Sequence, residues 1–142
     1  MDGAPASREL APDIELRQVT TDRDGVMACW SIGWRITNKG AGPLSILALR
    51  LPHGLFRSAE ETFEPALDLA PGQSGEFQTS VHCDESAGPV TENAFVIFSV
   101  IWLGEAWRIF GRLRVVVNAE GRPVTATEAI TSHKVGFSGL AS

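Results

Sequence analysis

Four side chains of this 142-residue chain are of the types that bind zinc: Cys29, His53, His82 and Cys83. Their spacing matches no ligand pattern, and the two cysteines fall on opposite phases of their strands, so no metal is expected. "DRDG" (22–25) supplies two carboxylates and a glycine but lacks the rest of a calcium loop, and reads as a tight turn. "GFSGL" (136–140) has the outline of a nucleophile elbow, yet Leu140 stands where the last glycine belongs and no strand–helix unit surrounds it. Glu60, Glu61 and Glu64 form an acidic cluster that reads as a solvated loop. No nucleophile–base or acid–base pair can be assembled from these motifs, so neither enzymatic activity nor a cofactor is expected.

What remains is a row of arginines threaded through apolar residues. "FVIFSVIWLGEAWRIFGRLRVVV" (95–117) is the most hydrophobic stretch, and arginines interrupt its second half. Guanidinium groups can bind phosphates or a polyanion. A formal net charge of −5, from 12 Lys and Arg against 17 Asp and Glu, opposes a nucleic-acid binder. Together with the interleaved apolar residues, it favours contact with another protein.

The elements that position these residues follow from period-two patterns bounded by turn clusters. Residues 1–12 read as a flexible arm, 13–118 as one domain and 119–142 as a C-terminal extension. Strands are expected at 14–20, 26–38, 44–51, 64–69 and 75–83, followed by the long hairpin. Pro65 suggests an edge position for the strand 64–69. Residues 52–63 and 84–92 read as loops. In the second strand Val26, Ala28, Trp30, Ile32, Trp34 and Ile36 point inward and Cys29 points outward. In 75–83, Phe77, Thr79, Val81 and Cys83 take the inner phase, so the two thiols are expected to be unpaired.

"WRITNKGAGPLSILAL" followed by "LDLAPGQSGEFQTSV" resembles strands of bacterial immunoglobulin-like domains, through Asn38, Gly40, Pro43, Leu69, Pro71, Gly72 and Ser74. The likeness spans about residues 14–117. It implies an all-β, immunoglobulin-like antiparallel sandwich of about seven strands and says little about activity. The antibody-type Cys–Trp–Cys arrangement and the tyrosine corner are both absent, since the chain has no Tyr.

In the hairpin, a two-residue turn centred on Gly104-Glu105 sets Trp102 opposite Trp107, Val100 opposite Ile109, Phe98 opposite Gly111 and Val96 opposite Leu113 on the inner face. Phe95, Ile97, Ile101, Arg108, Phe110, Arg112 and Arg114 then share the outer face. The neighbouring strand sends Leu47, Leu49 and Leu51 inward and adds Ile46 and Arg50 outside. So contiguous an apolar patch marks a contact. Its occupant is a second copy of the chain, another protein subunit, or the chain's own tail through Ile130, Val135, Phe137 and Leu140. The leading expectation is therefore a non-catalytic interaction or assembly module. The alternative is a carbohydrate- or small-ligand-binding sandwich using loops 52–63 and 84–92, with His53 and Phe56. The N-terminus has no signal-peptide pattern, and no apolar run approaches the ~20 residues of a spanning helix. A cytoplasmic protein without membrane contact is the simplest expectation.

Overall fold

A computed structural model describes residues 11–23, 29–52, 56–83 and 90–135, with side chains from residue 94 onward in the last segment. The described residues form strands and no helix. The strands are β1 (Ile14–Arg23), β2 (Cys29–Asn38), β3 (Leu44–Leu51), β4 (Phe56–Leu69), β5 (Ser74–Cys83), β6 (Val90–Trp102), β7 (Glu105–Val117) and β8 (Pro123–Lys134). All neighbours are antiparallel, in the order β1-β2-β5-β4-β3-β6-β7-β8, and the sheet curls until β8 lies beside β1. The interior of this nearly closed sheet is filled by Trp34, Phe56, Phe98, Ile32, Leu49 and Leu113, all fully buried, among others.

Alternation explains most of this. In β2, Trp30, Ile32, Trp34 and Ile36 enter the core while Arg35 is exposed and Ser31 and Thr37 are half-covered. Trp30 is capped by two guanidinium groups, those of Arg23 and Arg122, at 4.8 and 5.6 Å from its ring. At the opposite turn, Asn38 is completely buried. Its Nδ2 donates to the carbonyls of Gly42 and Leu69, and its Oδ1 accepts from the Gly40 amide.

The hairpin register differs from expectation. Trp102 faces Glu105, Val100 faces Trp107, Phe98 faces Ile109 and Val96 faces Gly111. The turn residues are Leu103 and Gly104, both at positive φ (51° and 79°), which is the type I′ geometry that matches strand twist. Leucine in this region costs ~1–2 kcal/mol, so the sequence pattern does not advertise it. Moving the turn by one residue shifts the pairing by two, which preserves every inner and outer assignment. The tryptophans still meet as diagonal neighbours, edge to face with centroids 5.9 Å apart. A Cβ added at Gly111 would lie 2.9 Å from Val96 Cγ1, so a side chain there would crowd this register.

Three further differences bear on the site. First, β3 carries an irregularity at Leu47: Ile46 pairs with Val100 and Ala48 with Ser99, leaving Leu47 as the extra residue. Ile46 therefore points into the core (0% exposed) and Leu47 outward (37% exposed), the reverse of simple alternation. Second, residues 56–63, expected to be loop, begin the long strand β4, and Phe56 is a core residue. Across from Leu47, β4 places four residues, Phe63–Ala66, between Thr62 (opposite Ala48) and Leu67 (opposite Ile46), including a cis Glu64–Pro65 bond. Phe63 turns back onto Phe77, 5.2 Å between rings, and Phe77 packs on Phe98. Third, residues 123–134 do not lie across the outer face but extend the sheet as β8.

Between β1 and β8 no backbone ladder forms. Side chains span the seam instead. Gln18 donates to the Pro123 carbonyl (3.1 Å) and accepts from the Thr125 amide (2.7 Å). Thr127 Oγ1 donates to the Leu16 carbonyl (3.1 Å) and Ser132 Oγ to the Pro12 carbonyl (2.7 Å). Arg122 donates to the Thr21 carbonyl.

Candidate functional site

The outer face of β3, β6, β7 and β8 is built of rows that cross the strands about 4.8 Å apart. One row is Ala48, Ser99, Arg108 and His133. The next is Arg50, Ile97, Phe110 and Thr131. Phe95, Arg112 and Ala129 follow, and Ser45, Ile101 and Ala106 lie at the turn end. Parity places these residues together.

Their exposures are unequal. Ile97, at 7%, is already buried within its own face. Phe95, Ile101, Phe110 and Arg114 are half-buried, whereas Arg50, Arg108 and Arg112 are exposed. The Phe110 ring meets His133 edge-on at 5.3 Å. Arg112 Nε lies 3.9 Å from Glu128 Oε1, a separation and exposure that contribute little to stability. Phe95, Phe110, Arg112, Ala129 and Thr131 enclose a shallow depression of about 180 Å³.

Of the residues expected on this face, Ile46 alone points away from it, while Ile97 keeps its place there but is covered by its neighbours. Leu47 takes the place of Ile46, and His133, Ala129 and Thr131 join through β8. Nothing in "LSILALRL" marks which leucine an extra residue will turn out, because both phases are apolar. β8 was legible in principle, since "VTATEAIT" has the β-branched content of a strand.

The alternative ligand site is not assembled as expected. Phe56 is in the core, while His53 and residues 84–89 lie outside the described residues. A different cluster forms nearby. Cys29, His82 and Arg57 follow one another across β2, β5 and β4, with Cys29 Sγ 4.0 Å from His82 Nδ1. They line an open depression of about 440 Å³ with Ser58 and Ser80. Cys83 takes the opposite phase and is buried. Among the described residues no three metal-binding side chains converge.

This contrast in thiol burial has a direct readout. Under native conditions a maleimide should modify Cys29 and leave Cys83 until the protein is unfolded, because access limits thiol reactivity. Mass mapping of the adduct checks it; native modification of Cys83 ahead of Cys29 contradicts the strand phases.

No helix among the described residues is long and apolar enough to cross a membrane. In comparisons with known proteins, the chain matches no family model and no curated sequence.

Proposed function

We propose that this protein is a non-catalytic interaction module that binds a protein partner through the outer face of β3, β6, β7 and β8. The carrying observation is that face: Phe95, Ile101 and Phe110 half-buried, Leu47 exposed, and Arg50, Arg108 and Arg112 projecting around them on a chain of net charge −5. Full burial of such an apolar side chain is worth roughly 1.5–3 kcal/mol, so completing the burial of these four releases an appreciable part of that each. Arginine and aromatic residues together are the composition enriched at interface cores.

The strand order supports an immunoglobulin-like reading of the scaffold. β1, β2 and β5 form one side, β4, β3, β6 and β7 the other, and the chain crosses between them after β2, after β4 and again after β5. β8 is an addition to that plan. Two unbridged cysteines fit a reducing, cytoplasmic setting.

Hydroxyl-radical labelling tests the face without knowledge of the partner. Leu47, Phe95 and Phe110 should be oxidised in the dilute purified chain and protected inside the producing cell, while the exposed Leu103 at the hairpin tip is labelled in both. Equal labelling of the three in both settings overturns the reading. Substituting Ile97 with aspartate is not a suitable test, because that side chain is already covered in the single chain and the change would act on folding.

A further inference from the structure

We infer that the occupant of this face is a second copy of the chain, related by a two-fold axis that runs parallel to the strands between β3 and β6. This rests on the reading of the face given above and specifies its partner. The outer surface of the sheet is bipolar. At one side β4 presents Asp68, which accepts from Ser45 Oγ at 2.6 Å, and Glu60, both exposed. Glu61 pairs with Leu49 and its carboxylate turns to the Ser80 amide, so Glu60 alternates to the outer phase beside Arg50. Three strands away, about 14 Å on, β7 presents Arg108 and Arg112. The apolar residues Leu47, Ile97, Ile101 and Phe110 lie on β3, β6 and β7.

Sheets pack face to face at ~10 Å. Rotation about an axis parallel to the strands exchanges left and right and keeps height, so β4 of one copy lies over β7 of the other. The cross-strand rows set the heights. Ala48 pairs with Thr62 on β4 and, through Ser99, shares a row with Arg108. Arg50, beside Glu60, shares a row with Phe110. Glu60 of one copy therefore comes to the level of Phe110 of the other, between Arg108 above and Arg112 below. Asp68 comes to the level of Ala106, one outward step from Arg108. The contact is made twice by symmetry. An axis across the strands would instead set β4 on β4 and β7 on β7, carboxylate against carboxylate and arginine against arginine, which is repulsive. The geometry thus selects one of the two in-plane two-folds.

The four strands give a footprint of roughly 20 by 20 Å, about 400 Å², below the ~800 Å² per partner of a standard interface. The dimer should accordingly be concentration-dependent and weakened by salt.

Two charge-reversal variants provide the test. In Arg108→Glu/Arg112→Glu both charged edges of the face are acidic; in Glu60→Arg/Asp68→Arg both are basic. Sedimentation velocity over a concentration series should show the parent dimerising, and each variant alone failing to dimerise by ~100-fold or more in the dissociation constant. An equimolar mixture of the two should recover dimers, read as a 1:1 hetero-species by native mass spectrometry, because every reversed carboxylate then meets a reversed arginine. A parent that stays monomeric at all concentrations overturns the inference, as does a mixture of two well-folded variants that stays monomeric. If the parent is monomeric and yet Leu47, Phe95 and Phe110 are protected in the cell, self-pairing is wrong and the face serves a different protein. Thermal melting of each variant, expected near that of the parent because the altered groups are exposed, separates loss of pairing from loss of fold.

Discussion

Replacing Asn38 with alanine is expected to lower stability by roughly 3–5 kcal/mol, a fall in Tm of about 10–17 °C, although the residue touches no part of the interaction face. The physical reason is the number of backbone groups that one amide satisfies. Nδ2 donates to the Gly42 carbonyl at 2.9 Å and the Leu69 carbonyl at 3.0 Å, and Oδ1 accepts from the Gly40 amide at 2.9 Å. Its backbone joins in as well, donating to the Gln73 carbonyl and accepting from the Gly72 amide. Asn38 therefore ties the β2–β3 turn to the β4–β5 turn. Alanine strands three backbone groups in a site closed to water, at about 1–3 kcal/mol each.

Asn38→Asp is the sharper control. It keeps the shape but replaces the donor with an oxygen facing two carbonyls. The folded state then holds the carboxyl protonated, with a pKa above that of the unfolded chain. A group shifted this way contributes its stability below the unfolded pKa and loses it as pH rises through the folded pKa. The variant should recover stability on acidification relative to Asn38→Ala, as followed by chemical denaturation across pH. Stability of Asn38→Ala within 1 kcal/mol of the parent would mean that the amide does not carry these bonds.

Trp34→Ala should cost at least as much, ~3–5 kcal/mol from lost packing and the cavity left behind. The indole is fully buried and its Nε1 donates to Thr79 Oγ1 at 3.0 Å, inside the sheet. Alanine therefore leaves a void and an unpartnered hydroxyl together. The two contributions separate in a double-mutant cycle of Trp34→Phe with Thr79→Val. Phenylalanine keeps most of the volume, and valine removes the hydroxyl at nearly constant shape. A coupling of about 1 kcal/mol is expected from urea denaturation midpoints. Strict additivity would show that the bond contributes nothing, and the whole loss in Trp34→Ala would then be packing.

Phase was readable in this chain wherever one side of a strand is apolar and the other polar. β2 and β5 satisfy that condition, and their described inward residues are those expected, with Phe77 only partly covered; Val26 and Ala28 lie outside the described residues. The hairpin satisfies it weakly. Both faces carry apolar residues, so the faces were recoverable by parity, but two registers differing by two residues present the same faces. The choice between them depended on Leu103 accepting a left-handed conformation, which favours other residues. β3 fails the condition altogether, since an extra residue among consecutive leucines and isoleucine leaves no polar mark. Phe56 stands in an apparent loop for the opposite reason: the mostly polar residues after it, Arg57 to Thr62, hide a strand that is exposed along much of its length. In the site, the arginines and phenylalanines were placed correctly by alternation alone. The acidic margin at Glu60 and Asp68 was not, because it depends on β4 lying next to β3, which is a fact of topology rather than of local pattern.

The seam between β1 and β8 gives the molecule a direction of mechanical weakness. A load that pulls these strands apart meets side-chain bonds from Gln18, Thr127, Ser132 and Arg122 one after another, each able to give way by a rotamer change. A load across β6 and β7 meets a continuous backbone ladder from Ala94 to Trp102. β4 and β5 are joined by a short ladder alone, Phe56 to Cys83 and Arg57 to His82, so the same stress is absorbed at these two lines and resisted by the longer ladders. A protein with this anisotropy can widen or narrow its girth along those two lines, while the surface formed by β3, β6 and β7 moves as one stiff plate.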